Sequence, residues 1–248
     1  MNESTPILIF SDAHFGAHSR TQETLKIERF VGFLAWAQHR RAEVFFLGDL
    51  FDFWFEYRHW MPKVPVEIPA SIRAFTAGGG AFHLIIGNHD CWAEDYFERQ
   101  LGMQVHRGDL TVMRQGLQLY LSHGDGMARS DRGYRILKRI LRWRLNTILY
   151  RLWPADWAFR AAHFFSGRSR ELTTQREPKF LEEYDQSIAV LLASGFDAVV
   201  IGHIHKGWVR RIGAGWSVNS GEFYEEFNYV VLENGTFRIE CWSGIPPK

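Results

Sequence analysis

The chain has 248 residues, 46% hydrophobic and 15% aromatic, enough to bury one substantial core, as single-domain α/β chains of this size do. Lys and Arg number 29 against 28 Asp and Glu, a net charge of +1, which excludes a global field for nucleic acid. Two cysteines, Cys91 and Cys241, exclude a disulfide framework, and no apolar run approaches the ~20 residues that cross a bilayer.

Polar Asn2-Glu3-Ser4 passes directly into the apolar run 7–10 without the core of a signal peptide, so a cytosolic location is expected. That run reads as a buried strand ending at Asp12-Ala13-His14. A helix over 21–40 follows, then an apolar strand at 44–47 that ends in Gly48-Asp49. A helix within 69–77 leads to a strand at 82–86 and the turn Gly87-Asn88-His89-Asp90. Cys91, beside that turn, has no activating neighbour in the chain and is assigned to packing. After a short helix at 93–101 comes a strand at 119–121, closed by His123-Gly124-Asp125. A long helix over 174–194 precedes the strand 198–201 and Gly202-His203-Ile204-His205. Beyond it, runs around Trp208, Trp216, Tyr229 and Phe237, separated by Gly and Asn-Gly turns, read as antiparallel hairpins. Asn219, Gly221 and Glu222 in this part are explained by turn chemistry.

The stretch 129–170 breaks the alternation and is too long for a connection, so it reads as an insertion within one domain spanning 1–248. Tyr134, Leu137, Leu141, Leu145, Ile148 and Leu152 recur at helical spacing, with Arg135, Lys138, Arg139 and Arg142 on another face. One basic amphipathic helix is predicted. A second, over 157–165, starts after Pro154 with Asp156 as its cap. The pair reads as a helical hairpin over the site, and its tryptophans beside arginines suit anionic lipid headgroups and apolar chains.

Functional residues in open α/β sheets collect where strands end and loops leave the core. Five strand ends here present Asp, Asn and His next to glycines that permit sharp exits. Together they supply enough oxygen and nitrogen donors for two metal ions, and a dinuclear metallohydrolase is the expected activity.

The order Asp-x-His, Gly-Asp, Gly-Asn-His-Asp, His and Gly-His-x-His resembles the calcineurin-like metallophosphoesterase superfamily. The resemblance implies an α/β (α+β) fold, a four-layer αββα sandwich of two mixed β-sheets flanked by helices. It also implies that Asp12, His14 and His205 hold one metal and Asn88, His123 and His203 the other, with Asp49 bridging. A mixed imidazole and oxygen set without thiolate suits Mn, Fe or Zn, and two manganese ions are expected. In the superfamily the residue at His89 protonates a leaving oxygen and that at Asp90 orients it.

The run 48–54, His123-Gly124-Asp125 with Asp131 and Tyr134 downstream, and the helical insertion resemble the UDP-2,3-diacylglucosamine pyrophosphatases of lipid A synthesis. That family releases UMP and 2,3-diacylglucosamine 1-phosphate by water attack on the α-phosphorus, and its cap shelters the acyl chains. By this match Asp131, Tyr134, Ser169, Thr173 and Arg176 would contact substrate. Ser169-Arg170-Glu171 matches the family's Ser-Lys-Glu, but Thr173 replaces its Asn and Arg176 its Lys. His89 stands where many members carry Arg, so another phosphodiesterase, a phosphomonoesterase or a nuclease stays open, as does a metal-free scaffold. The expected partners are a lipid-linked nucleotide and, through the basic cap, the cytoplasmic face of the inner membrane. No nucleic acid is expected, and oligomeric state leaves no mark in the sequence.

Overall fold

The computed structural model describes residues 5–57, 59–154, 157 and 177–247. The first sheet comprises β1 (Ile7–Phe10), β2 (Glu43–Phe46), β3 (Phe82–Ile85), β4 (Gln104–His106), β10 (Asn228–Glu233) and β11 (Thr236–Cys241), in the order β11-β10-β1-β2-β3-β4. The second comprises β5 (Leu110–Arg114), β6 (Leu117–Leu121), β7 (Ala198–Ile201), β8 (Trp208–Ile212) and β9 (Gly215–Asn219), in the order β5-β6-β7-β9-β8. Both are mixed: β1 to β4 run parallel while β10 opposes β1, and β6, β7 and β9 run parallel between antiparallel edges.

Strand periodicity builds the layers, because alternate side chains leave opposite faces of a sheet. Leu8, Phe10, Val44, Phe46 and Leu84 pack with α1 (Arg20–His39) and α2 (Glu67–Ala77), through Phe30, Phe33, Ile72 and Phe75. Ile7, Ile9, Phe45 and Ile85 meet Leu119, Leu121, Val200 and Val218 between the sheets. On the far face Val199 and Ile201 receive Tyr184 and Ile188 of α6 (Glu177–Ala193). The expected αββα order is therefore present. Helix α1 starts where the Ser19 hydroxyl accepts the Gln22 N–H at 3.4 Å, and it ends as Arg41 turns left-handed at φ 52°. Its Phe33 is fully buried among Phe10, Trp36, Phe223, Tyr229 and Trp242. Burying such a ring is worth about 1.5–3 kcal/mol.

Four elements differ from expectation. Strands β4 and β5 were not anticipated, although Leu110, Val112 and Arg114 alternate and Gln115-Gly116, with φ 50° and 76°, closes the tight β5–β6 turn. The helix expected over 93–101 shrinks to α3 (Tyr96–Arg99). Buried Glu56 accepts the N–H groups of Glu94, Asp95 and Tyr96 at 2.9, 3.1 and 3.2 Å, and the chain bends around that carboxylate before the helix begins. The single amphipathic helix is two, α4 (Arg132–Leu141) and α5 (Arg144–Arg151), broken at extended Trp143 (φ −70°, ψ 128°). The Trp92 indole N–H donates to the Leu141 carbonyl at 2.8 Å, which satisfies this helix end from outside. The second insertion helix and the start of the long helix lie outside the described residues. Among the described residues no helix is long and apolar enough to cross a membrane.

At the opposite end from the loops of interest, Glu43 of β2 ties the sheets together. Its carboxylate accepts from Nε and Nη2 of Arg114 on β5, both at 2.8 Å, and lies 2.9 Å from His83 Nε2. Burial pushes its pKa up, but the His83 and Arg114 bonds outweigh that and bring it from 4.5 down to about 2. A folded value below the unfolded one means stability that is present above about pH 4.5 and lost as pH falls toward 2. Arg114→Ala should therefore cost about 3–5 kcal/mol at pH 7, as breaking a buried pair does, and progressively less below pH 4.5. Urea unfolding across that range measures it; a pH-independent difference would show that the arginine contributes only packing.

Candidate metal centre

Strands β1, β2 and β3 of one sheet and β6 and β7 of the other finish at a common edge, and the next residues of each carry the candidate donors. Asp12, His14, Asp49, His203 and His205 all have left-handed backbone, with φ of 55°, 43°, 60°, 67° and 57°. That conformation is disfavoured for residues bearing a Cβ and persists where surrounding structure imposes it. Here the loops hold one another: Asp12 N–H donates to Gly48, His14 to Asp49 and Phe15 to Leu50, each at 3.0 Å. Wholly buried Lys26 adds a bond from its ammonium to the His14 carbonyl at 2.8 Å, with Glu23 also 2.8 Å from that ammonium. Gly87 is required by proximity, since a Cβ there would collide with the Asp49 carboxylate.

Two donor clusters share Asp49. In the first, Asp12 Oδ1 lies 3.3 Å from His205 Nε2 and 3.6 Å from His14 Nε2, and the two imidazole nitrogens are 3.3 Å apart. In the second, His123 Nε2 lies 2.9 Å from Asn88 Oδ1 and 3.2 Å from His203 Nδ1. Asp49 Oδ1 accepts the His89 N–H at 2.9 Å, which leaves Oδ2 between the clusters, 3.4 Å from His123 Nε2 and 3.9 Å from His14 Nε2. Three observations fit these groups to cations. Ligands on one ion with bonds of ~2.0–2.1 Å stand about as far apart as these nitrogens do. Asp12 Oδ1 is buried without a hydrogen bond, while its Oδ2 accepts from the His203 N–H at 2.9 Å. The remote nitrogens are engaged so that the near ones face inward: His123 Nδ1–H donates to the Leu47 carbonyl at 2.7 Å, and His205 Nδ1 meets the Tyr224 hydroxyl at 3.1 Å.

Electrostatics express the same crowding. Burial opposes charge at Asp12 and Asp49, yet the neighbouring histidines hold both well below the ordinary carboxylate range. Burial also disfavours the charged His123 ring, but Asp49 and Asp12 outweigh it and raise its pKa to about 10. Burial depresses His14 and His203 to about 4, so these two are neutral and ready to coordinate. Asp12 raises His205 as well, against its burial, so incoming cations displace protons held on both His123 and His205.

All seven expected metal ligands converge here. His89 joins them at the rim, its Nε2 3.7 Å from Asp49 Oδ2 and its Nδ1 bonded to the Asp52 carbonyl. Asp90 is placed differently from expectation: its carboxylate accepts the N–H groups of Asp49 and Leu50 at 2.5 and 3.3 Å, so it shapes the Asp49 loop, and Asp52 holds His89. Burial, reinforced by the charge on Asp49, raises Asp90 to about 7. Tyr134 stands near the centre, its ring 6.4 Å from that of His203 and its hydroxyl donating to Asp125 at 2.8 Å. Asp131 occupies the N-cap position of α4, without a side-chain capping bond. Ser169, Thr173 and Arg176 lie outside the described residues. Cys91 packs on the core as expected, and burial pushes its thiol up to about 12. Sequence reasoning missed Lys26 and Tyr224, and gave no separate role to Asp52 and Asp125, which stand within motifs it named. Asp125 pins α4 to the centre by pairing with Lys138 at 2.8 Å, and only its place two residues after His123 could have marked it.

Such donors on such a frame define the class, a hydrolase that works through bound metal ions. A sequence model of the calcineurin-like phosphoesterases matches residues 5–207, and the chain belongs to that family. A UDP-2,3-diacylglucosamine hydrolase of Porphyromonas gingivalis is 32% identical over 172 residues, 69% of this chain and 66% of that protein. One of Neisseria meningitidis serogroup B is 23% identical over 93% of this chain and 95% of its own length. Among solved structures, an archaeal phosphodiesterase superposes with a TM-score of 0.50 at 14% identity, covering 96% of this chain and 99% of that one. At that identity it attests the fold.

Proposed function

We propose that this protein hydrolyses UDP-2,3-diacylglucosamine by water attack on the α-phosphorus, giving UMP and 2,3-diacylglucosamine 1-phosphate. One observation carries the reading: the donor clusters lie beneath a cap that is cationic toward them and apolar away from them. Lys138 and Arg142 reach the loops of the centre, whereas Ile136, Ile140, Trp143 and Leu152 are exposed. A charged diphosphate joined to acyl chains has that polarity. The relatives named for this substrate support the same reading.

We assign Asp12, His14 and His205 to one ion, Asn88, His123 and His203 to the other, and Asp49 to both, with manganese as the metal. Divalent ions bound there acidify water toward neutral pH and offset charge developing on the phosphoryl group. His89, steadied through Nδ1 by the Asp52 carbonyl, presents Nε2 as proton donor to the leaving oxygen. Tyr134 and Asp131 are assigned to the headgroup, and Ser169, Thr173 and Arg176, which lie outside the described residues, are assigned to it from the resemblance alone. The exposed apolar face of α4 and α5 is read as resting on the cytoplasmic side of the inner membrane. Arg135 bonds three loop carbonyls, Lys138 pairs with Asp125 and Arg151 with Glu94, which argues against a groove for nucleic acid. A second reading, a phosphodiester or monoester with a poorer leaving group, is favoured by His89 itself, an acid where many relatives of the resembled family carry Arg.

The test is Mn-supplemented hydrolysis of the lipid nucleotide in micelles beside bis(p-nitrophenyl) phosphate, with products identified by mass. UMP and the lipid monophosphate, formed well faster than the generic ester is cleaved, are expected; turnover of the generic ester alone transfers the assignment to the second reading. In the same preparation, sedimentation with anionic vesicles should fall when Ile136 and Ile140 become Asp, and unchanged sedimentation would remove the cap from membrane contact.

A further inference from the structure

Arg142 ends α4 at the break in the cap, and its Nη2 donates to the Gly87 carbonyl at 3.3 Å. The bond between the Trp92 indole and the Leu141 carbonyl closes the same junction one residue earlier. Tyr150 of α5 stacks on Trp92 at 4.9 Å and packs tilted on Phe55 at 4.6 Å, so Trp92, on the loop that carries Asn88 and His89, fastens the break on both sides. The guanidinium is thus fixed against the rim of the metal centre.

Its partners are incomplete. The Nε–H is buried with no acceptor, and among the described residues Arg142 forms no ion pair. Lys138 has Asp125 and Arg151 has Glu94, Arg135 is served by three carbonyls, and Arg139 is exposed to water. The Arg142 side chain is half-buried with its Nε–H shielded from water, and its fork of N–H donors matches a phosphate edge.

Resting on the diphosphate reading above, we propose that Arg142 binds the second phosphate of the substrate, the one that leaves. In that hydrolysis the bond between the α-phosphorus and the bridging oxygen breaks and its electron pair stays on that oxygen. Water supplies the new oxygen on the α-phosphorus and gives up a proton. The departing sugar phosphate gains negative charge beside Gly87, where Arg142 offsets it. The cap thereby supplies the fixed cation that the resembled family places at the position of His89, and His89 is freed to donate a proton.

The experiment uses inhibition of bis(p-nitrophenyl) phosphate turnover by UDP and by UMP in excess Mn, with the ester only as reporter. Wild type should bind UDP at least tenfold more tightly than UMP, and Arg142→Ala should bring the two within threefold. Arg142→Lys should recover part of the preference. Arg139→Ala, which removes an exposed charge from the same helix, should leave the ratio in place. Equal weakening of both nucleotides by Arg142→Ala, or an unaltered ratio, overturns the proposal. If the ratio collapses as expected but wild type leaves UDP-2,3-diacylglucosamine intact, Arg142 keeps its role for another diphosphate and the substrate assignment falls.

Discussion

Asp49→Asn is expected to lower kcat by roughly 10⁴ or more, about 5.5 kcal/mol of barrier, and to abolish binding of both metals together. The reason is geometric. One carboxylate oxygen faces both clusters, at 3.4 Å from His123 and 3.9 Å from His14, while the other already accepts the His89 N–H. An amide retains the second bond and replaces the shared acceptor with an N–H₂ donor aimed at two imidazoles. Wild type should gain thermal stability with Mn, because a ligand bound only by the folded state stabilises in proportion to the logarithm of its concentration over Kd. The variant should not. Loading should also release protons, with affinity rising with pH up to about 10, since His123 surrenders the proton that Asp49 and Asp12 hold on it. Metal analysis after dialysis, melting curves with and without Mn, and proton release in weak buffer measure these effects. A variant that retains one equivalent of metal with a normal melting shift would show that the two clusters bind separately, and Asp49 would lose its shared role.

The positions of Asp12, His14, Asp49, Asn88, His123, His203 and His205 were readable because each follows an apolar strand, and parallel strands can deliver such residues only to one edge. What no local pattern contained was the left-handed backbone at five of them, which arises from hydrogen bonds between loops far apart in sequence. The same limit hid Asp52, whose carbonyl selects the face of His89, and assigned to Asp90 an orienting task that falls elsewhere. In the cap, periodicity predicted helix correctly through Leu141 and again from Leu145. The break between them depends on an indole 49 positions earlier, a tertiary contact that overrides propensity. Likewise, charge counting placed Arg135, Lys138 and Arg142 among surface cations, whereas each folds back onto loop carbonyls or Asp125. Amphipathic spacing tells which residues share a face, and the partner of that face is set by the rest of the fold.

His89→Ala should lower kcat for an alkyl phosphodiester by about 10²–10⁴, the usual contribution of a positioned general acid, and for the lipid nucleotide by much less, while both metals remain bound. Its Nδ1–H is committed to the Asp52 carbonyl, so Nε2 is the nitrogen through which a proton leaves. That Nε2 also lies 3.7 Å from Asp49 and close to His14, near enough that coordination is the competing role. The two roles separate by measurement. If His89 is an acid, the variant keeps its metal and loses rate chiefly on the ester with the poor leaving group. If it is a ligand, the variant loses metal and activity falls on both substrates. His89→Arg sharpens the distinction, because guanidinium retains the charge and cannot give up a proton. It should preserve most activity toward a diphosphate, whose departing sugar phosphate needs little protonation, and lose about 10²-fold or more on an alkyl phosphodiester, whose alkoxide needs a proton to leave. Equal retention on both substrates would mean that this position supplies charge alone and that the histidine is not the acid.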